Sequence, residues 1–422
     1  MSSIESTNML RYLNILKKQC KDTSKINMTK VFKQFFTPQK YSQIMIENLD
    51  INVPKKVLDL SMGEGSLLNE AYNKWSDIKL IGNDIDRKCC EKIKDKFSNI
   101  TCFNENAFSL KAITKIIKKV GKVDLCLCNP PFFLIPQNED TNSILQTYQL
   151  YSYLKNKYIP AEVIFILQCF SILKRKGTIS IILPDGFFVN NYLKRFREFL
   201  INNYKIEEII ELPNNIFEKT DAKTHILVIK NIKRKNNEII LKKIGIYEDI
   251  KISSKEAINR MDYSFYENIK RYTEYLFLSD LNIKFIRGTP RYLIKNIKND
   301  YIIHTTDVSK NKYFRNKLST PNKLLLYENK IAKPGDIILA RVGTYCIGKV
   351  SIVEKGYFII TDCVFIIRVE ELAMRNKVYN LLCSEEGQNW IRSVSKGVAA
   401  KHITLEDIKK FPYFESKIQL CH

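Results

Sequence analysis

Apolar positions along the first half of the chain fall into short runs that alternate with longer amphipathic stretches. The runs Lys56-Val57-Leu58-Asp59-Leu60, Ile78 to Gly82, Val123-Asp124-Leu125-Cys126-Leu127 and Thr178 to Leu183 predict strands. Two more strand candidates follow at Lys205 to Leu212 and His225 to Lys230. Helices are predicted at Ser66 to Trp75, Arg87 to Phe97 and Glu162 to Lys174, the last broken by Gly177. Upstream, a helical opening (Ser3 to Lys21) precedes an aromatic turn, Phe35-Phe36-Thr37-Pro38, and a helix through Ile44 and Met45. Strand–helix alternation of this kind predicts an α/β fold with a doubly wound parallel sheet, its ligands lying at the carboxyl ends of the strands.

After about Asn236 the pattern changes. Glu238 to Tyr266 reads as a strand-rich extension with a polar hairpin. From Leu276 onward short β runs alternate with turns at Gly288-Thr289-Pro290, Pro334-Gly335-Asp336 and Arg341-Val342-Gly343-Thr344, and a helix is predicted near Val378 to Val394. A chain of 422 residues is too long for one compact core. Two domains are therefore expected, 1–245 and 246–422, the second β-rich (α+β). No internal repeat or low-complexity linker is visible.

Composition narrows the class. Apolar residues make up 45% and charged residues 27%, an ordinary globular balance. No run approaches the ~18 apolar residues of a membrane span, and no apolar segment follows Met1, so membrane and secreted readings are set aside. The chain has 11 cysteines and 4 histidines but no Cys-x-x-Cys spacing; Cys126 and Cys128 form only Cys-x-Cys, and Cys89 adjoins Cys90. Neither a metal site nor a disulfide framework is expected, and a reduced, cytoplasmic setting is. Lys and Arg outnumber Asp and Glu 68 to 45, for a net charge of +23. Compositional drift toward lysine accounts for the excess as readily as function does, yet a polyanion is attracted either way. Residues 251–350 carry 19 basic and 9 acidic side chains, so the excess is not confined to a tail. Nucleic acid is the first partner to test.

Three motifs carry chemistry. Leu58-Asp59-Leu60-Ser61-Met62-Gly63-Glu64-Gly65 runs from a strand into a glycine turn, where Gly63 and Gly65 let backbone pass close to a ligand. About 20 residues on, Ile81-Gly82-Asn83-Asp84-Ile85-Asp86 places an acid where a ribose diol would be bound, although a surface turn capped by Asp86 is the plainer account. Position 68 is Leu, so the dinucleotide pattern Gly-x-Gly-x-x-Gly is not met. A single nucleoside such as S-adenosylmethionine suits the pair of motifs better. The third motif, Asn129-Pro130-Pro131-Phe132, ends a strand. Its prolines fix the backbone, so the Asn129 side-chain oxygen and the Pro130 carbonyl can both face one amino group, while Phe132 offers a stacking face.

The tetrapeptide resembles the Asn/Asp-Pro-Pro-Tyr/Phe motif of amino methyltransferases acting on planar nitrogens. No Pro-Cys dipeptide occurs, which disfavours covalent cytosine C5 chemistry. With Gln34-Phe35-Phe36-Thr37-Pro38 ahead of the glycine turn, the order of parts resembles the gamma-class (TaqI-like) N6-adenine DNA methyltransferases of restriction–modification systems. That resemblance implies a Rossmann-like catalytic sheet, S-adenosylmethionine as cofactor and no metal. It implies that Thr37 closes over the methionine part of the cofactor and that Asp59, Gly63, Gly65, Asp84 and Ile85 belong to its site. The family's next acid, on the cofactor adenine, is matched by Asn106 in Asn106-Ala107-Phe108, a departure in which an amide replaces a carboxylate. Phe165 matches an aromatic near the cofactor, with core packing an equal alternative. Asn215-Ile216-Phe217 followed by Lys223-Thr224-His225-Ile226-Leu227 resembles the late catalytic segment, which makes Phe217 a candidate to stack on a flipped adenine opposite Phe132, with core packing the alternative.

The second half resembles the target-recognition domains of type I specificity subunits. The matching stretches are Phe285-Ile286-Arg287-Gly288-Thr289-Pro290, Thr305-Thr306-Asp307, Lys333 to Thr344, Thr361-Asp362-Cys363-Val364, and Gly387-Gln388 to Gly397 with Ile403-Thr404. Double-stranded DNA is the implied partner. Lys310, Lys312, Arg315 and Lys317 are candidate phosphate contacts, or else a solvated loop. The chain is expected to act as a monomer, with any restriction endonuclease encoded separately because no ~150-residue segment remains for one. Methylation of ribosomal RNA, methylation of a release-factor glutamine, and a non-catalytic DNA-binding module stay open at this stage.

Overall fold

The computed structural model describes residues 37–413, apart from 98, 155–156, 214–215, 217–222, 234–236, 273–274, 310–312, 316–328 and 397–400, and describes 313–315 by backbone alone. The expected helix Ser3 to Lys21 lies outside the described residues, as do Gln34, Phe35, Phe36, Asn215, Phe217, Lys310, Lys312, Lys317 and the side chain of Arg315.

In the first unit, β1 (Lys56–Asp59), β2 (Lys79–Asn83), β3 (Thr101–Phe103) and β4 (Val123–Cys128) begin the central sheet. A separate ribbon pairs β5 (Leu134–Pro136) with β6 (Tyr158–Pro160). The sheet continues with β7 (Leu173–Pro184), β8 (Lys205–Glu211), β9 (Thr224–Lys230), β10 (Glu238–Lys243) and β11 (Ile246–Ser253). Its order is β11-β10-β8-β9-β7-β4-β1-β2-β3. The run from β3 to β7 is parallel, as predicted. β9 is antiparallel to both β7 and β8, and β11 is antiparallel to β10, so the sheet as a whole is mixed where a parallel one was expected. β9 is buried on both faces, and a continuous Ile/Leu/Val run of that kind carries no signature of its direction.

Helices α1 (Gln39–Glu47), α2 (Ser66–Lys74), α3 (Arg87–Lys96), α4 (Leu110–Val120), α5 (Glu139–Thr147) and α6 (Ala161–Ile172) accompany these strands. Met45 and Ile46 of α1 pack with Leu67, Leu68 and Ala71 of α2, which anchors the segment that begins at Thr37. α6 is apolar all round and buried at nearly every position, so other elements cover it on every side. It ends at Ile172, two residues before the predicted Lys174, and β7 starts at once, with Lys176 at φ 68° where the strand slips register against β4.

The two compact units divide between Tyr263 and Ser264. A boundary after residue 245 would cut the β10–β11 hairpin, whose link carries Gly245 at φ 86°. The fully buried Arg197 shows why the first unit runs on. Its guanidinium donates to the carbonyls of Phe187, Asn190, Ile258 and Asn259 at 2.9–3.1 Å, building the segment through Asn259 into this unit.

In the second unit β12 (Leu276–Phe277) pairs with a distant strand near the end of the described chain. The others are β13 (Lys284–Arg287), β14 (Ile302–Ile303), β15 (Tyr313–Arg315), β16 (Ile331–Ala332), β17 (Ile337–Ala340), β18 (Val350–Lys355), β19 (Phe358–Ile360), β20 (Val364–Arg368) and β21 (Pro412–Tyr413), the partner of β12. A five-stranded sheet has the order β13-β20-β17-β18-β15, and a smaller one the order β14-β19-β16. Alternation along β17 and β20 feeds two cores. Ile337, Leu339, Phe365 and Ile367 join Trp390 and Phe411, while Ile338, Ala340 and Ile366 face Ile360 on the other side. The single helix expected at Val378 to Val394 is two, α7 (Leu372–Cys383) and α8 (Glu385–Val394). Ser384 breaks it by accepting the Gly387 N–H at 3.0 Å as an N-cap. Among the described residues no helix is long and apolar enough to cross a membrane, and no group of His, Cys, Asp and Glu is placed to hold a metal ion.

Candidate active site

The carboxyl ends of β1, β2 and β4 meet at one cleft. Thr37, Asp59, Gly63, Asp84, Ile85, Asn106, Asn129, Pro130, Phe132 and Phe165 all line it. Of the predicted cofactor and catalytic residues that are described, Gly65 alone is absent from that wall. Gly65 sits at φ 76° as the residue before α2, and a Cβ there would come within 2.2 Å of Ile93 Cδ1. Its glycine thus serves the close approach of α2 to α3, where a close approach to ligand was expected.

Hydrogen bonds tie the turn after β1 to the end of β2. Gly63, at φ 52°, donates its N–H to Asp84 Oδ2 at 2.8 Å, and Met62 N–H donates to the Asn83 carbonyl at 3.0 Å. Asp84 Oδ1 accepts from Asp86 N–H at 2.9 Å. The Ile85 N–H also bonds this carboxylate, which leaves it lone-pair capacity for a further donor in the cleft. Asn83, 1% exposed, joins three loops: its Nδ2 donates to the carbonyls of Leu60 (3.0 Å) and Glu105 (3.1 Å), and its Oδ1 accepts from Glu105 N–H (3.1 Å). Sequence reading passed over Asn83, because nothing in Asn83-Asp84 separates a structural amide from a turn residue.

Two acids lie near each other here with no cation paired to either among the described residues. Burial pushes the Asp59 carboxyl up to about 8; the Asp84 charge adds to the rise, against the pull of the Ser61 N–H, which donates to Asp59 at 2.9 Å. Burial also raises Asp84, with Asp86 adding to it and the Asp86 and Gly63 N–H groups opposing. Such a pair favours a ligand that brings positive charge and hydroxyl donors. Next to it Ile85 is 41% exposed, an apolar surface open for a flat ring.

The third loop is held from behind. Gln168 of α6 donates through Nε2 to the carbonyls of Ala107 and Ser109, both at 3.2 Å. Phe108 meets Phe165 edge to face at a centroid distance of 5.3 Å, and Phe165 is only 3% exposed. The ring of Phe165 is core packing that also forms part of the cleft wall. Asn106 is exposed, but its Oδ1 already accepts from Phe108 N–H at 3.0 Å, leaving one lone pair for a ligand.

At the end of β4, Asn129 donates from Nδ2 to Thr37 Oγ1 at 3.0 Å, and its backbone carbonyl accepts from Ser61 Oγ at 3.4 Å. The corner is thereby braced against the turns before α1 and after β1. Phe132 is half-buried and packs against the core cluster that includes Ile216. A buried charged group occupies the same edge at β7, β8 and β9. Lys223 Nζ lies 2.9 Å from Glu211, 3.8 Å from Asp185 and 3.9 Å from Asp262, and His225 Nε2 is 3.0 Å from Asp185. Burial alone would raise Asp185, but His225 and Lys223 hold it down at about 2.

The family model described as N-6 DNA Methylase matches residues 24–282, and that described as Type I restriction modification DNA specificity domain matches residues 278–412. The type II methyltransferase M.AccI of Acinetobacter calcoaceticus is 23% identical over 205 residues, covering 48% of this chain and 37% of that protein. The methylase subunit of the type I restriction enzyme MpnII of Mycoplasma pneumoniae is 22% identical over 230 residues, covering 49% and 41%. The chain thus spans about two-fifths of the length of these curated relatives. Among solved structures, the type IIG restriction endonuclease BpuSI is similar with a TM-score of 0.51 at 13% identity, over 90% of this chain and 59% of that one, a likeness of fold.

Proposed function

The chain belongs to the N-6 DNA methylase family, and on that premise we propose that it methylates the N6 amino group of adenine in duplex DNA, using S-adenosylmethionine, as the modification enzyme of a restriction–modification system. The observation that carries this reading is the braced Asn129-Pro130-Pro131-Phe132 corner, which opens on the same cleft as Asp59 and Asp84, acids with no cation paired to them among the described residues. When bound, the cofactor supplies a methyl group on a positively charged sulfur. The donor set fits it: Asp84 retains lone pairs for ribose hydroxyls, Ile85 covers one face of a purine, and Asn106 and Phe165 border its edge. Asp59 supplies negative charge toward the cationic end, and Thr37 closes the cleft above it.

In this reading the side-chain oxygen of Asn129 and the carbonyl of Pro130 accept the two N–H hydrogens of the target amine. The nitrogen lone pair is then left facing the cofactor pocket, and catalysis rests on orientation and desolvation with no covalent enzyme intermediate. Phe132 stacks on the base after it has left the duplex, and Phe217 packs on its other face. The second unit reads the DNA, with Lys310, Lys312, Arg315 and Lys317 on phosphates. The enzyme works in the cytoplasm as a monomer.

The test is to methylate genomic DNA with the purified chain and map N6-methyladenine at single-base resolution. A defined recurring site is expected for the wild type and none for Asn129→Ala, whose affinity for the cofactor stays within a few-fold. Transfer to ribosomal RNA in place of duplex DNA, or wild-type turnover by Asn129→Ala, overturns the reading.

A further inference from the structure

One end of the five-stranded sheet in the second unit gathers cations and exposed rings. β13 ends there at Arg287, opposite Phe365 at the start of β20, and β17 ends there at Ala340, opposite Val364. β13 and β17 flank β20, so the two strand ends lie two strand spacings apart, roughly 10 Å, or about three base steps along a duplex.

From the end of β17 the chain makes a tight turn before β18, and this turn holds Tyr345 at 85% exposure. The turn is stiff. Ile347 N–H donates to the Gly343 carbonyl (3.0 Å), Gly348 N–H to Ala340 (2.9 Å) and Gly343 N–H to Lys401 (2.9 Å). Gln388 of α8 donates through Nε2 to the Gly348 carbonyl at 2.8 Å, and Gly348 has φ 81°. A large ring is therefore displayed to water on a fixed support, where contact with a partner costs little ordering entropy. After β13, Tyr292 at 58% exposure adds a second ring.

Charge at this end is unbalanced. Arg287 is exposed and forms no ion pair among the described residues. Buried Arg341 donates to the carbonyls of Ile403 (3.0 Å) and Asp362 (2.9 Å); burial first, and then neighbouring Arg287, push its guanidinium down to about 10. Lys349 and Lys401 belong to the same end through their backbone carbonyls, which accept from Ala340 and Gly343 N–H, and the Asp362 and Asp407 carboxylates act on Arg341 from the other side. Those acids act on buried Arg341, which leaves exposed Arg287 as the cation that a polyanion can reach.

Resting on the proposed function, we propose that this sheet end is the face the second unit lays on duplex DNA, with Arg287 donating to a guanine edge in the major groove and Tyr345 packing against the groove wall. A guanidinium donates two parallel N–H bonds to guanine O6 and N7, a pairing that distinguishes one base pair from the rest. Tyr345 contributes contact area that is indifferent to sequence.

The experiment compares Arg287→Ala and Tyr345→Ala with the wild-type chain. Both positions are exposed, so thermal midpoints are expected to stay within about 2 °C. Duplex affinity is read by fluorescence anisotropy and site choice by the single-base methylation map. Arg287→Ala is expected to lose about tenfold in affinity for the cognate duplex and to accept any base at one guanine position. Tyr345→Ala is expected to weaken every duplex by about fivefold with the site unchanged. Affinities within twofold of wild type for both variants overturn the face, and uniform weakening with an unaltered site in Arg287→Ala overturns its base-reading role. Anisotropy requires no methyl transfer, so a wild-type chain that binds duplex without methylating it sinks the enzymatic reading and leaves the binding comparison decisive.

Discussion

Thr37 and Asn129 stand 92 positions apart in the chain, and their side chains meet at 3.0 Å, the Asn129 amide nitrogen donating to the threonine hydroxyl. This bond fixes the orientation of the carboxamide. Thr37→Val keeps the shape and removes the acceptor, so kcat is expected to fall about five- to tenfold with a smaller change in KM for DNA. Thr37→Ser is expected to restore most of the loss in steady-state assays. Equal rates for the valine and serine variants would show that the hydroxyl does not orient the amide.

Asp59 links pH to stability and to cofactor binding. Its carboxyl sits at about 8 in the folded chain against an ordinary value of 3.8. The folded state therefore holds a proton that the unfolded chain releases near pH 4. Stability from this group is complete below pH 4 and is lost progressively as pH rises to about 8. Asp59→Asn cannot ionise, so without cofactor it is expected to melt several degrees above wild type at pH 8–9 and level with it near pH 4. A cation in the cleft favours the ionised carboxylate, so wild-type cofactor affinity is expected to rise between pH 6 and 8, and calorimetric titration of the asparagine variant to show weaker binding without that slope.

Asn83 concerns the frame more than the chemistry. Asn83→Leu leaves the Leu60 carbonyl and both backbone groups of Glu105 without their amide partner. A loss of about 2–4 kcal/mol in urea denaturation is expected, together with weakened cofactor binding, since the loops after β1 and β3 lose their common tie. Unchanged cofactor affinity would separate the tie from the site.

Gly65 offers a paired test. Gly65→Ala places a methyl 2.2 Å from Ile93 Cδ1 at φ 76°, so a destabilisation of about 1–3 kcal/mol is expected. Ile93→Val removes that Cδ1, and the double variant is expected to recover part of the loss in thermal melts. Strict additivity would assign the whole cost to the backbone angle.

What the sequence disclosed was local, and what it concealed was tertiary. β1, β2 and β4 announce themselves through apolar runs that end in chemically distinctive residues, and Asp59, Asp84 and Asn129 do lie on one cleft. Asn83, Phe108 and Gln168 escaped because each works on a partner far along the chain. β3 escaped because it has three residues, two of them half-exposed. The sheet's mixed direction was hidden by the uniform burial of β9. The domain boundary slipped because β11 presents mostly exposed positions, so its membership in the large sheet leaves little apolar trace.

The reversed strand has an architectural result. Because β9 runs back between β7 and β8, the chain turns round at the rim where β4 delivers Asn129, and Ile216 from that turn enters the same apolar cluster as Phe132. A strictly one-way ribbon would instead have crossed over a face of the layer before starting the next strand. One inverted segment thus equips the mouth with two jambs, Phe132 after β4 and Ile216 from the turn between β8 and β9, that share one apolar footing.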